Sequence, residues 1–167
     1  MWTNARLADI KYNDIVDCDQ GICVSLWLQG CPFHCKGCHN EVTWDFQGGR
    51  PIPENIKQLI INGISENNIK RNFSLLGGEP LCPENLNFSA DILNAVRTAY
   101  PTIKIFVWTG YTIEQLKYRM DQEPQIKQIL SKIDVLIDGP YIESQRDITL
   151  PLRGSRNQRV LYHGVDF

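Results

Sequence analysis

Apolar positions along this chain switch between two periods, and the switching sketches an order of elements. The run "ICVSLWLQ" (22–29) is almost continuously apolar and reads as a strand that delivers the chain to Gly30 and Cys31. The segment "EVTWDFQGGR" follows the cysteines as a loop, and Pro53 then suits the first turn of a helix. Ile56, Leu59, Ile60, Gly63 and Ile64 recur at helical spacing and predict one buried stripe. "FSLLGGEP" (73–80) reads as a second strand, broken by paired glycines, with a helix after it carrying Leu86, Leu93, Val96 and Tyr100 on one side. "TIKIFVWTG" (102–110) is a third strand, apolar enough to be covered on both faces. Helical spacing returns at Ile113, Leu116 and Met120, and again after Pro124 at Ile126, Ile129, Leu130 and Ile133. "DVLIDGP" (134–140) is a fourth short strand, and the tail "RNQRVLYHG" adds one more.

Strands alternating with amphipathic helices predict an α/β fold with a mostly parallel sheet and right-handed crossovers. No repeat, low-complexity tract or linker divides residues 1–167, so a single domain is expected. Ligands of such sheets sit at the carboxyl ends of the strands. Cys31, Gly77, Thr109 and Asp138 all fall just past a predicted strand end, so four loops are expected to share one rim.

Composition narrows the chemistry. The formal charge of −2 gives no reason to expect a nucleic-acid or anionic membrane surface. No apolar run approaches the roughly 20 residues that cross a bilayer. The opening "MWTNARLADIKYND" lacks the basic flank and apolar stretch of a signal peptide, so a cytoplasmic location is expected. Thiols stay reduced there, and six cysteines then point to metal binding, redox chemistry or core packing.

Half of those cysteines crowd into "LQGCPFHCKGCHN" (28–40), at 31, 35 and 38. Thiolates are soft ligands suited to zinc or to iron–sulfur iron. A structural zinc site closes four ligands, usually drawing on a second distant pair, and no such pair is visible. Three thiolates suit a four-iron cluster with one iron left open for a small molecule. A small zinc knuckle with His34 or His39, or a zinc-stapled interaction module without catalysis, is the alternative. Cys18, Cys23 and Cys82 are scattered, and no role is assigned to them.

CxxxCxxC after the first predicted strand, followed later by Gly-Gly-Glu-Pro, resembles the radical S-adenosylmethionine (SAM) superfamily. Within it, "QGCPFHCKGCHNEVTW", "LLGGEPL", "VWTGY", "LIDGPYI" and "LRGSRNQ" resemble, in order, the family of anaerobic ribonucleotide reductase-activating proteins. The resemblance implies an incomplete (β/α) barrel of radical SAM type. It further implies a 4Fe-4S cluster on Cys31, Cys35 and Cys38, the catalytic cysteines through that cluster, with SAM on the open iron. Reductive cleavage of SAM would install a glycyl radical on an anaerobic ribonucleoside-triphosphate reductase, with flavodoxin or ferredoxin as electron donor. Activases of other glycyl-radical enzymes and small-molecule radical SAM enzymes share the cysteines and the GGEP segment. The family's pattern departs from the wider superfamily at Gly37, where an aromatic is usual, and this chain departs from related activases at Cys23, where arginine is frequent.

SAM's α-ammonium wants several acceptors. The strand-end carbonyls of Gly77 and Gly78 and the Glu79 carboxylate are expected to supply them, with Pro80 fixing the turn. Gly37, Cys38 and His39 are implied on the adenine side, with a surface packing role equally open to His39. Asp138 is read as capping the next turn in preference to accepting from a ribose hydroxyl. Trp27 and Trp108 are read as core, and Trp44 as either a cover for the cluster or a partner contact. Arg146, Arg153, Arg156 and Arg159 give the C-terminal part a local cationic face.

Overall fold

The computed structural model describes residues 4–167. Among them the chain runs β1 (Arg6–Asp14), β2 (Cys23–Gln29), β3 (Arg50–Pro51), α1 (Ile56–Ser65), β4 (Asn72–Gly77), α2 (Pro83–Ala99), β5 (Ile105–Trp108), α3 (Ile113–Arg119), α4 (Pro124–Leu130), β6 (Val135–Asp138) and β7 (Arg159–Tyr162). All seven strands form one sheet in the order β3-β1-β2-β4-β5-β6-β7. The centre, β2-β4-β5-β6, is parallel, while β1 and β7 flank it antiparallel and β3 pairs antiparallel with β1. The fold is therefore a mixed α/β sheet with a parallel heart, as the alternation of periods predicts.

The order of the parallel strands decides where the helices lie. β2, β4, β5 and β6 advance across the sheet in one direction, and right-handed crossovers then put every helix on the same face. Alternate strand positions confirm it: Val24, Leu26, Leu28, Phe73, Leu75, Ile105, Val107 and Leu136 join one core with the apolar stripes of the helices. Ile56, Ile60 and Ile64 of α1 are fully buried there, each stabilising the fold by about 1.5–3 kcal/mol. The opposite face carries Cys23, Phe106, Val135 and Ile137 and is covered by loop residues such as Cys18 and Leu152. Cys23, the departure from related activases, is thus a buried packing residue.

Two strands escape the sequence pattern. β1 is not expected although exposed Asp9, Lys11 and Asn13 alternate there with Ile10 and Tyr12, which pack on the core, and β3 is two residues long. Asp138 does not cap the turn that follows it: it is wholly buried, and its Oδ2 accepts from the Ile113 N–H at the start of α3, on the neighbouring loop, at 2.8 Å. Arg159 from β7 adds two bonds to the same carboxylate, at 3.0 and 2.5 Å, and also pairs with Glu114. Arg159 is therefore spoken for, and the cationic face expected of the C-terminal part is smaller by one charge.

That carboxylate ties β6, β7 and α3 beside the rim. Asp138→Ala is expected to lower unfolding free energy by about 2 kcal/mol, because it strands the Ile113 N–H and unpairs Arg159. Arg159→Ala, at a half-exposed partner, should cost less than half of that, and guanidinium melts with an unchanged slope would show both.

Candidate functional site

The rim forms because the end of β2 meets the end of β4 without side chains between them. The Gly78 N–H donates to the Leu28 carbonyl and the Glu79 N–H to the Gly30 carbonyl, both at 2.8 Å. A Cβ on Gly78 would lie 2.3 Å from the Gly30 carbonyl oxygen, and one on Gly77 would lie 2.5 Å from the Leu28 nitrogen. Gly77 also holds φ +111°, which side chains resist. The paired glycines are thus required by backbone contact with the strand that leads into the cysteine turn. Asn85, in the first turn of α2, donates to the Gln29 and Glu79 carbonyls at 3.0 Å and locks the two strand ends together.

The cysteine turn is anchored from behind. The Gly30 N–H donates to the Thr43 carbonyl at 2.7 Å and the Cys31 N–H to the Trp44 carbonyl at 3.1 Å, while Gln29 Nε2 reaches the Val42 and Asp45 carbonyls. The loop after the cysteines therefore doubles back as a shelf. Within the turn, the Asn40 N–H donates to Cys38 Sγ at 3.3 Å.

One pocket collects the pieces. Cys31, Cys35 and Cys38 line it together with Gly77, Gly78, Glu79, Thr109 and Gly110. All four rim loops converge as the sequence predicts, the fourth through Gly139, Pro140 and Tyr141, while the Asp138 side chain itself turns inward to the start of α3. Pro80 is buried behind the pocket, where its carbonyl accepts from Ser89 Oγ at 2.7 Å. Gly37 and His39 stand outside the lining, with the His39 ring 5.5 Å from that of Tyr141. Trp44 lines the pocket and stacks on His34 at 4.7 Å. Trp108 lines it too, with its Nε1 donating to the Leu152 carbonyl at 2.7 Å, whereas Trp27 lies under Lys11. Gly139, Pro140, Tyr141 and Gln158 complete the wall. They lie in the "LIDGPYI" and "LRGSRNQ" segments, and no periodicity marks them as lining.

Glu79 is 1 % exposed, and both its oxygens face internal donors. Oε1 accepts from Thr109 Oγ1 at 2.7 Å and the Leu81 N–H at 2.9 Å, and Oε2 from the Gly110 N–H at 2.6 Å. Burial outweighs these bonds and pushes the carboxyl up to about 7. Burial likewise raises the Cys31 thiol to about 11 and lifts Cys35. Such thiols keep their protons at neutral pH until a metal displaces them.

Among the described residues, no three His, Cys, Asp or Glu groups converge on a point where one ion could be held. A four-iron cluster takes each thiolate on a different iron, and three thiols spread around one pocket fit it. No helix of the described residues is long and apolar enough to cross a membrane.

Comparison with known proteins agrees with this donor set. A family described as a 4Fe-4S single cluster domain matches residues 19–161. The anaerobic ribonucleoside-triphosphate reductase-activating protein of Pasteurella multocida is 38% identical over 92% of this chain and 94% of its own length. The protein of the same name from Escherichia coli K12 is 35% identical over 90% of this chain and 93% of its own. That of bacteriophage T4 is 32% identical over 90% and 93%.

The buried Glu79 carboxyl should leave a mark on pH stability. Its pKa is raised on folding, so its favourable share is present in full below about 4.5 and is lost as pH climbs through about 7. Asp17, raised to about 7 by burial and its neighbour Asp14, acts in the same window, so a variant must isolate Glu79. Between pH 4.5 and 8 the metal-free wild type is expected to lose on the order of 2–3 kcal/mol more than Glu79→Gln, read from denaturant melts at each pH.

Proposed function

The chain belongs to the family of anaerobic ribonucleoside-triphosphate reductase-activating proteins, and from that premise we propose that it installs a glycyl radical on such a reductase, using one 4Fe-4S cluster and SAM. One observation carries this reading above the others: a turn with three thiols and a strand-end Gly-Gly-Glu share a single pocket on the sheet face that the helices leave uncovered. Cys31, Cys35 and Cys38 would hold the cluster. Gly77, Gly78 and Glu79 would form the SAM side, with Pro80 fixing their turn from behind the pocket, and Cys38 would face its adenine, backed by Gly37 and His39 from outside the lining. Bound and reduced, such a cluster would supply the single electron for reductive cleavage of SAM, and the hydrogen atom would come from a glycine of the reductase.

The chain's own residues prepare that site in three ways. Gly77 and Gly78 bring backbone to the pocket where any side chain would collide with β2. Glu79 Oε2 accepts a single internal bond, which leaves it capacity for a cationic donor, and a cation there would favour the ionised carboxyl. The walls bring Trp44, Trp108 and Leu76 to the pocket, apolar surface that excludes water from a reactive intermediate. No general base is required, because the substrate gives up a hydrogen atom and no proton.

The sheet also fits a protein substrate. β3 and β7 are its two edges and do not pair with each other, so the sheet stays open, as an incomplete (β/α) barrel would. A glycine loop of the reductase enters from that side, with flavodoxin or ferredoxin supplying electrons.

After oxygen-free reconstitution the chain is expected to retain about four irons and four sulfides, and to cleave SAM only when reduced. Mixing with an anaerobic ribonucleoside-triphosphate reductase should give a glycyl electron-spin signal. Cys31→Ala, Cys35→Ala and Cys38→Ala should each drop that signal to background. A colourless protein that retains zinc and no iron would refute the reading.

A further inference from the structure

Glu79 is held by donors from two sides, and both sides lead to one residue of α3. The Leu81 N–H donates to Glu79 Oε1 at 2.9 Å, and the Leu81 carbonyl accepts from Arg119 Nη2 at 2.9 Å. On the other side, Thr109 Oγ1 donates to Oε1 at 2.7 Å and the Gly110 N–H to Oε2 at 2.6 Å. The Tyr111 N–H donates in turn to Thr109 Oγ1 at 3.1 Å. The Tyr111 ring lies under the Arg119 guanidinium, whose Cζ stands 4.4 Å from the ring centroid. Arg119, Leu81, Glu79, Thr109 and Tyr111 thus close a circuit of contacts.

The guanidinium is itself fixed. Its Nε and Nη2 donate to the Glu123 carboxylate, one turn further on, at 2.5 and 2.9 Å, and the side chain is only 17% exposed. Its Nη1 is buried with no hydrogen-bond partner. Withdrawing a guanidinium from water with one donor unused costs stability, so solvation and the ion pair alone would not select this placement. The Tyr111 ring also reaches the cluster side. Phe33, between Cys31 and Cys35, meets it edge-on at 4.8 Å, and a Cβ on Gly110 would lie 2.6 Å from the Phe33 ring. Tyr111 therefore has the cysteine turn as one neighbour and Arg119 as another.

We infer that Arg119 is a positioning residue for the SAM side of the pocket: by joining Leu81 to Tyr111 it holds in place the donors that orient the Glu79 carboxylate towards the ammonium of SAM. This rests on the role proposed above for Glu79. Arg119 is not among the lining residues, so its influence on a ligand passes through the groups it holds. Hydrogen bonds are directional, and each donor is only as well placed as the backbone that carries it. Residues that act through one network are coupled: losing the second costs little once the first is gone, whereas independent losses add. That difference separates a positioning role from a general loss of packing.

The test is calorimetric titration of SAM into the reconstituted protein with its cluster oxidised, for wild type, Glu79→Gln, Arg119→Met and the double variant. Glu79→Gln should weaken binding about tenfold and Arg119→Met about fivefold. The double variant should bind within about twofold of Glu79→Gln alone. In the metal-free chain, nuclear magnetic resonance should show the Leu81 and Gly110 amides of Arg119→Met exchanging about tenfold faster, while Leu75 in β4 keeps its protection. If Arg119→Met proves unfolded by circular dichroism, Arg119→Lys, which lacks the planar fork, carries the same expectation. Unchanged affinity in the Arg119 variant, additive losses in the double variant, unchanged exchange at Leu81 and Gly110, or equal loss of protection at Leu75 overturns the inference. A Glu79→Gln variant that binds SAM as tightly as wild type instead overturns the role of Glu79, and the inference falls with it.

Discussion

No atom beyond hydrogen fits between the Gly78 α-carbon and the carbonyl of Gly30. This contact makes two chain segments, almost fifty positions apart, behave as one surface. The cysteine turn leaves β2 at Gly30, and the acceptor groups leave β4 at Gly77 and Gly78, so their spacing is fixed by backbone hydrogen bonds and by Asn85. Such bonds are short and directional and leave little room for drift. The proposed site, with a cluster on one side and a charged small molecule on the other, would gain pre-organisation from that rigidity.

The polar groups of the site are arranged for charges that arrive from outside. Glu79 is buried among three donors yet raised to about 7, and Cys31 is raised to about 11. Each keeps a proton or shares it near neutral pH, so burying these groups strands no full negative charge in the metal-free chain. Binding iron at the thiols, or a cation at the carboxyl, replaces those protons. The same burial that disfavours the anions when empty strengthens their attraction to cations when filled.

Much of this was legible before any coordinates. The helical stripes at Ile56–Ile64 and Leu86–Val96 and the apolar strands at 22–29 and 102–110 announced themselves because burial leaves a period in the sequence. The cysteine turn and the Gly-Gly-Glu were legible because their chemistry is local. β1 was not: its alternation of Ile10 and Tyr12 with polar residues is short, half-exposed and cut off from Leu7 by a register shift. The walls at 139–142 and 154–158 were not either. They are built from side-chain amides whose partners lie some twenty positions away, and such bonds imprint no period. Asp138 shows the same limit from another side: it reads as a cap of its own turn, but its partners are the Ile113 N–H and Arg159, which reach it only through the pairing of β6 with its neighbours.

The position of the site follows from handedness. Strands that advance in one direction with right-handed crossovers place α1 to α4 on a single face, and that face becomes the main core. The other face is left to loops, and loops fasten by hydrogen bonds to particular partners, so they cover it unevenly. At the amino ends of the parallel strands, the 14–22 loop seals it with Cys18 and with Ser25 Oγ donating to Asp14. At the carboxyl ends, the cysteine turn and the hydrogen-bonded 139–158 segment stand around a pocket. A sheet that continued to turn and closed on itself would surround this pocket with strands. Ending at β3 and β7, it admits approach from the side, which a substrate loop belonging to a second protein requires.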